Sequence, residues 1–80
     1  MQTIDFVLRG EYITLDALLK ATGLARSGGA AKVLIAGGEV RVNDEVDTRR
    51  GRKCRAGDEV VVVVVVGPIR VRVGGAEAAA

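Results

Sequence analysis

Apolar and polar residues follow two different periods along the first half of the chain. Ile4, Phe6 and Leu8 occupy every second position, which indicates a strand with one buried face. Two later stretches have apolar residues every three to four positions, as in helices that pack on one side. The apolar faces of these two helices consist of Leu15, Leu18 and Leu19 in the first, and Ala30, Ala31, Leu34 and Ile35 in the second. The first half therefore predicts a strand followed by two short helices.

The ends of both helices carry residues typical of helix initiation and termination. Thr14 and Ser27 can cap the two N-termini, because a hydroxyl oxygen can accept a hydrogen bond from a free amide of the first turn. Gly23 follows the first helix and Gly37-Gly38 follow the second, where glycine favours a helix stop. Only a few residues separate the helices, so we expect them to turn sharply against each other.

The second half of the chain predicts β-structure. Val40 and Val42 alternate with polar residues, and Asn43-Asp44 can form the turn of a tight hairpin. The run of valines at 60–66 is β-branched throughout and predicts a buried strand. It is too short to cross a bilayer, which takes about 20 apolar residues. Gly67-Pro68 are expected to reverse the chain.

The last predicted strand alternates in the same way. Its apolar residues face inward, and Arg70 and Arg72 face outward. The sequence therefore predicts a single small α+β domain over residues 1–73. Two short helices packed at an angle are followed by a small antiparallel or mixed sheet, and residues 74–80 form a flexible C-terminal tail.

Charge is unevenly distributed although the net charge is only +2. Residues 49–55, called the basic segment here, hold five basic side chains and no acid: Arg49, Arg50, Arg52, Lys53 and Arg55. A regular buried strand would place some of these charges in the core at high cost. We therefore expect a loop or sheet edge with all five charged groups in solvent. A phosphate backbone would relieve their mutual repulsion, although a basic loop that only aids solubility is the alternative.

The start of the second helix is a second candidate anion site. Ser27 precedes two glycines, and Lys32 follows about one turn into the helix. Free amide groups at a helix N-terminus attract anions. Gly28 and Gly29 have no Cβ, so a phosphate could approach the backbone closely. Alternatively, the glycines allow tight helix packing. The pattern is not a nucleotide P-loop, because GxxxxGK[ST] is absent.

The stretch "RSGGAAKVLIAGGEVRVND" resembles the RNA-binding domain named after ribosomal protein S-four, also called the α-L motif. Its matching positions are Ser27, Ala31, Lys32, Leu34-Ile35, Gly38 and Val40–Asn43 within a resemblance that covers about residues 13–62. The segment "TRRGRKCRAGD" is similar to that of the small stand-alone bacterial members of YbcJ type. The chain departs from the motif in Gly28, where the family has Arg, and in Asp44, where the family has Gly.

The resemblance implies that the second helix, the hairpin and the basic segment bind RNA as one surface. The residues expected to contact RNA are Arg26, Ser27, Gly28, Gly29, Lys32, Arg41, Asn43, Arg49, Arg50, Arg52, Lys53 and Arg55. Phe6 and Tyr12 are the only aromatic residues, which is too few for a platform that stacks several bases. We therefore expect recognition of the backbone of structured RNA, with ribosomal and transfer RNA as candidates.

Other properties limit the alternatives. The chain has no histidine, one serine and one cysteine, so we expect no enzyme activity, cofactor, metal site or small-molecule substrate. Cys54 is interpreted as an apolar anchor for the basic segment, with a redox-sensitive thiol as the alternative. The start of the chain does not resemble a signal peptide, so we expect a cytoplasmic protein without membrane partners. A monomer is favoured.

Two further functions remain possible on the sequence. Parts of the chain resemble ubiquitin-like sulfur carriers of β-grasp type, including the paired glycines Gly74-Gly75. Such carriers end at the diglycine, whereas "AEAAA" follows it here, and a β-grasp fold has a hairpin before its first helix. The second alternative is a protein-interaction module whose basic segment binds an acidic partner.

Overall fold

The computed structural model describes residues 1–75 and shows two helices and seven strands within them. Their bounds are β1 (Gln2–Leu8), β2 (Ile13–Thr14), α1 (Leu15–Ala21), α2 (Gly28–Ala36), β3 (Val40–Val42), β4 (Glu45–Val46), β5 (Lys53–Cys54), β6 (Glu59–Val64) and β7 (Gly67–Gly75). The predicted α+β class is confirmed. Neither of these helices has the length and apolar character that a membrane span requires.

Most strands form one mixed sheet with the order β1-β7-β6-β3-β4. The first strand runs parallel to the last one, from Gln2 opposite Ile69 to Leu8 opposite Gly75. The other neighbours are antiparallel. The two remaining strands, β2 and β5, form a separate two-stranded ribbon, and β2 leads directly into α1. The apolar periodicity did not predict this ribbon, because two residues are too few to show a period.

The hydrophobic core lies between the helices and one face of the sheet. The buried residues of both helices belong to the same cluster as the inward valines of β3, β6 and β7. Its members with no exposed surface are Leu15, Leu18, Leu19, Ala31, Ile35, Val40, Cys54, Val60, Val62 and Val71. The predicted apolar faces of the helices and the predicted inward valines are therefore confirmed.

Local signals predicted several turns and caps correctly. Asn43 and Asp44 form the hairpin turn with positive φ angles of 51° and 70°, which these two residue types tolerate better than most. Ser27 caps α2, because its Oγ accepts a hydrogen bond from the Ala30 amide at 3.1 Å. Gly23 follows α1 with a φ of 78°. In each case the residue type and the conformation agree.

The turn between β6 and β7 differs from the prediction. The chain reverses at Val65 and Val66, which are highly exposed, whereas Gly67 and Pro68 already belong to β7. Gly67 has a φ of 113°, so glycine is needed just after the turn. Pro68 is tolerated because β1 begins opposite the following residue, Ile69, and leaves Pro68 beyond its end.

Two further expectations need correction. Thr14 stands at the N-terminus of α1, but its side chain makes no capping hydrogen bond there. Gly74 and Gly75 continue β7 and lie opposite Val7 and Leu8, so the sheet extends two residues beyond the predicted domain boundary. The rest of the predicted tail, residues 76–80, lies outside the described residues.

Cys54 is buried in the core beneath the basic segment. Its side chain has no exposed surface, and burial raises the pKa of the thiol from 9.0 to about 11. A thiol with a raised pKa is a poor nucleophile because little thiolate forms near neutral pH. The structure therefore favours the anchor interpretation over the redox-sensitive one.

Because the thiol is buried as a neutral group, we expect the protein to lose stability in alkali. The raised pKa contributes stability that is fully present below pH 9 and is lost as the pH rises through about 11. Urea unfolding across this range should show the loss in the natural protein and a smaller loss in Cys54→Val, in which nothing ionises at this position. Equal losses in both proteins would contradict a buried, neutral thiol.

Candidate nucleic-acid interface

The basic segment is fixed across the N-terminus of α1 by backbone hydrogen bonds. The Leu15 amide donates to the carbonyl oxygen of Arg52 at 2.8 Å, and the Asp16 amide donates to that of Arg50 at 3.1 Å. These two amides would otherwise lack partners, since a helix cannot satisfy its own first amides. The segment therefore supplies the cap that Thr14 does not, and its backbone is held in place.

The last part of the basic segment alternates between core and solvent. Cys54 lies opposite Ile13 and points into the core, whereas Lys53 and Arg55 are exposed. Both of these cationic groups lie over the ring of Tyr12, with the Lys53 Nζ 5.0 Å and the Arg55 guanidinium carbon 5.9 Å from its centroid. At these distances the ring attracts the cations. Tyr12 thus helps to order two charges of the segment.

A carboxylate next to the basic segment binds two of its arginines. Asp47 is only 9% exposed, and its two oxygens accept hydrogen bonds from the Arg49 Nε at 3.0 Å and Nη2 at 2.8 Å. The Arg52 Nε lies 3.2 Å from the same carboxylate. The hydrogen bonds from Arg49 lower the pKa of Asp47, and the charge of Arg52 adds to the effect. Asp47 therefore stays ionised and holds both guanidinium groups.

This arrangement corrects the expectation that all five charged groups lie in solvent. The side chain of Arg52 is only 24% exposed, whereas that of Arg49 is 73% exposed. Arg50, Lys53 and Arg55 are exposed, and none of them forms an ion pair within residues 1–75. Among the described residues, the segment thus presents three cations outside any ion pair, together with an exposed Arg49.

The hairpin residue Asn43 is used by the protein itself. Its Nδ2 donates to Asp58 Oδ1 at 3.0 Å, and its Oδ1 accepts from the Glu59 amide at 3.0 Å. Asp58 also accepts a hydrogen bond from the Arg55 amide at 2.8 Å. Asn43 therefore joins the hairpin to the turn that ends the basic segment. The side chain of Asn43 is exposed as well, and its contact with RNA stays a prediction.

The glycines at the start of α2 stand in open space. A Cβ added at Gly28 would meet nothing within 4 Å, and one at Gly29 would meet only the Ser27 Oγ at 3.8 Å. Neither glycine has a positive φ. This result contradicts the alternative that the glycines allow tight helix packing. Lys32 is exposed one turn further along the helix, and Arg26 is exposed just before it.

The two candidate anion sites lie at opposite ends of α1. The basic segment contacts the helix at Leu15 and Asp16, whereas the loop to α2 leaves from its other end, where the Ala25 amide donates to Leu19. Within residues 1–75, no hydrogen bond or ion pair joins Ser27 or Lys32 to the basic segment. The two sites are thus joined to α1 through its two different ends.

Arg41, the remaining arginine among the expected RNA contacts, lies on the opposite face of the sheet. Arg41 is exposed between the buried residues of β3, opposite Val61 of β6. Arg70 and Arg72 are on the same outer face, and Arg70 lies 3.0 Å from a carboxylate oxygen of Glu59. Because the helices cover the other face, Arg41 is directed away from α2. Arg41, Arg70 and Arg72 therefore do not extend the surface formed by the basic segment and the start of α2.

Sequence reasoning missed the two residues that organise the basic segment. Asp47 is not among the residues singled out from the sequence, yet it binds two arginines of the segment. In "DTR", the aspartate side chain can accept a hydrogen bond from the backbone amide two residues later. Asp47 Oδ1 does accept a hydrogen bond from the Arg49 amide at 3.0 Å. Tyr12 carried no local signal, because its contacts come from the pairing of distant strands.

Comparison with known proteins agrees with this fold. The S4 domain matches residues 6–73, which is most of the chain. The chain belongs to the S4 domain family. The resemblance found in the sequence is therefore confirmed, and it extends to β1 and β7, beyond the stretch that carried it.

Two bacterial relatives are similar over the greater part of their lengths. The "Probable ribosome maturation protein RlbA" of Bacillus subtilis (strain 168) is 50% identical over 52 residues, or 65% of this chain and 73% of that protein. The "Putative RNA-binding protein YbcJ" of Escherichia coli (strain K12) is 43% identical over 49 residues, or 61% of this chain and 70% of that protein. The predicted similarity to YbcJ-type proteins is confirmed.

The ion pairs of Asp47 predict a measurable dependence of stability on acid. In Asp47→Asn, Arg52 loses its partner while still mostly buried, so we expect the free energy of unfolding at neutral pH to fall by about 1–2 kcal/mol. Because the folded protein lowers the pKa of Asp47, its contribution is present above the ordinary value of 3.8 and disappears as the pH falls through the lower value. The variant should therefore lose less stability in acid than the natural protein.

Glu11→Gln is the matched control, because it removes one negative charge from an exposed residue that forms no ion pair among residues 1–75. Urea unfolding followed by circular dichroism at several pH values would measure both variants. Identical pH profiles for Asp47→Asn and Glu11→Gln would show that Asp47 has no special role.

Proposed function

We propose that this protein binds the phosphate backbone of structured RNA through the basic segment and the start of α2. The observation that carries the proposal is the attachment of the basic segment to α1 by backbone hydrogen bonds, with three exposed cations that form no ion pair within residues 1–75. A flexible solubility loop would not need two backbone hydrogen bonds and a buried Cys54 to fix it. A fixed cationic surface loses less conformational entropy when it binds a polyanion.

The electrostatic driving force is the release of counterions from the nucleic acid. Each phosphate neutralised by a lysine or arginine frees condensed cations, so affinity falls as salt concentration rises. Arg50, Lys53 and Arg55 are the proposed primary contacts, and Arg49 can contribute through its exposed edge while it remains paired with Asp47. Arg52 acts mainly within the fold because its charge is largely buried against Asp47.

The start of α2 supplies the second proposed contact. The Ser27 cap uses the Ala30 amide, whereas the amides of Gly28 and Gly29 donate no hydrogen bond within residues 1–75. The glycines also leave the backbone open to a phosphate oxygen. Arg26 and Lys32 are exposed on either side of this helix start. An RNA that touches both ends of α1 would be recognised by the spacing of its phosphates, which depends on its folded shape. This supports structured RNA as the partner. The names of the two relatives, which refer to ribosome maturation and to RNA binding, support an RNA partner in general.

The alternatives have less support in the structure. A sulfur carrier presents its diglycine at a free end, whereas Gly74 and Gly75 lie in β7 opposite β1. Binding to an acidic protein would use the same cations as RNA and is distinguished by treatment with ribonuclease during co-purification. We propose a binding role without catalysis, because the basic segment holds arginines and a lysine around a buried, protonated thiol.

Removing one free cation of the basic segment should weaken binding in a salt-dependent way. We expect Arg50→Ala to lower RNA affinity by about 0.5–1.5 kcal/mol and to flatten the plot of log affinity against log salt by about one unit. Arg41→Ala is the matched control, because Arg41 is exposed on the outer face of the sheet, directed away from α2, and forms no ion pair among residues 1–75. Filter binding to ribosomal and transfer RNA at several salt concentrations would measure this. Equal slopes for the two variants would contradict the proposal.

A methyl group added at Gly28 should weaken RNA binding without lowering the free energy of unfolding. Because there is space for it and alanine favours helices, we expect Gly28→Ala to leave the free energy of unfolding unchanged or to raise it by about 0.5–1 kcal/mol. The same methyl group would hinder a phosphate at the backbone, so RNA affinity should fall. Urea unfolding and filter binding on one sample would test both. Unchanged affinity would exclude this helix start from the interface.

A further inference from the structure

Tyr12 lies on the surface, where its aromatic ring contributes little to the hydrophobic core. Its side chain is 44% exposed, and it does not belong to the hydrophobic core cluster. Its neighbour Ile13 packs against that cluster from the opposite side of the β2–β5 ribbon. If the register of the ribbon is continued by one residue, Tyr12 faces Arg55, in agreement with the distance of 5.9 Å between ring and guanidinium. The solvent side of the ribbon therefore combines one aromatic ring with two cations.

The ring also borders an open cleft of about 480 Å³. The other wall of the cleft is the end of β1 and the bend that follows it, where Phe6 and Val7 contribute apolar surface, Arg9 a further cation and Asp5 one carboxylate. An apolar cleft next to an aromatic ring and basic groups has the chemistry of a nucleotide site. A base stacks on the ring, and its phosphates meet the cations.

We propose that Tyr12 and this cleft form a subsite for one unpaired RNA base, with Lys53 and Arg55 binding the phosphates on either side of that base. The subsite rests on the proposed RNA binding and adds to it a preference for RNA with an unpaired nucleotide. It does not require the several aromatic residues of a single-strand platform. A fully paired duplex keeps its bases stacked internally and cannot fill the cleft.

The composition of the chain offers a direct probe of this site. Tyr12 is the only tyrosine and there is no tryptophan, so the tyrosine fluorescence of the protein comes from this ring alone. Stacking of a base on the ring should quench the emission. The ligands are an RNA hairpin with a single-stranded loop, a blunt RNA duplex with the same stem, and inorganic polyphosphate, which carries phosphates without bases. We expect strong quenching by the hairpin and little by the duplex or polyphosphate at equal occupancy.

Affinities of two variants separate stacking from the ordering of the cations. Tyr12→Phe keeps the ring and should bind the hairpin as well as the natural protein does. Tyr12→Leu removes the ring and should lose roughly 5- to 100-fold in hairpin affinity, as is typical of a lost base–aromatic stack. If Tyr12 only positioned Lys53 and Arg55, Tyr12→Leu would weaken polyphosphate binding by the same factor. We expect polyphosphate affinity to be nearly unchanged.

The outcomes distinguish this inference from the function on which it rests. Hairpin binding without quenching, or with equal affinity for Tyr12→Leu and Tyr12→Phe, overturns the base subsite and leaves RNA binding intact. Equal losses for hairpin and polyphosphate in Tyr12→Leu also overturn it, in favour of a role in ordering the cations. Absence of binding to hairpin and duplex alike overturns both proposals. Circular dichroism of each variant shows whether the fold is retained.

Discussion

The hydrogen bonds between the first amides of α1 and the carbonyl oxygens of Arg50 and Arg52 connect the fold to its surface chemistry. A helix N-terminus carries partial positive charge, so it is an unfavourable neighbour for a cluster of cations. The structure offsets this with backbone carbonyls that face the helix, with Asp16 in its first turn and with Asp47 beside it. Arg50, Lys53 and Arg55 are thereby exposed to solvent, while Arg52 stays largely buried against Asp47. A single arrangement completes the helix and exposes the charge.

Much of the fold could be predicted because its signals are local. The apolar faces of both helices, the Ser27 cap and the Asn43-Asp44 turn each depend on residues a few positions apart. The position of the turn at Val65-Val66 was predicted wrongly, because Gly67-Pro68 is a stronger turn signal than two valines. Glycine was needed there for its φ of 113° after the turn, and Pro68 fits the strand because β1 does not reach it. The position of Gly67-Pro68 next to β1 and β6 therefore decided whether these residues form the turn or begin the strand.

The candidate site was predicted in outline and not in its internal contacts. The positions of the five basic residues are plain in the sequence, but the sequence does not show which of them are neutralised. Which cations are neutralised depends on the position of Asp47 next to the segment. It also depends on the pairing of β2 with β5, two strands that both helices separate along the sequence. The same pairing brings Tyr12 to Lys53 and Arg55. Residues without any periodic signal thus determine which cations are available.

The parallel pairing of β1 with β7 joins the two ends of the described chain. During synthesis the first strand must wait for nearly all other residues before its only neighbour in the sheet exists. Contacts between residues so distant in sequence close slowly, because a long loop must lose its freedom first. Until then Ile4, Phe6 and Leu8 have no sheet to pack on. Until β7 is synthesised, the nascent chain therefore carries an apolar strand that lacks its partner in the sheet.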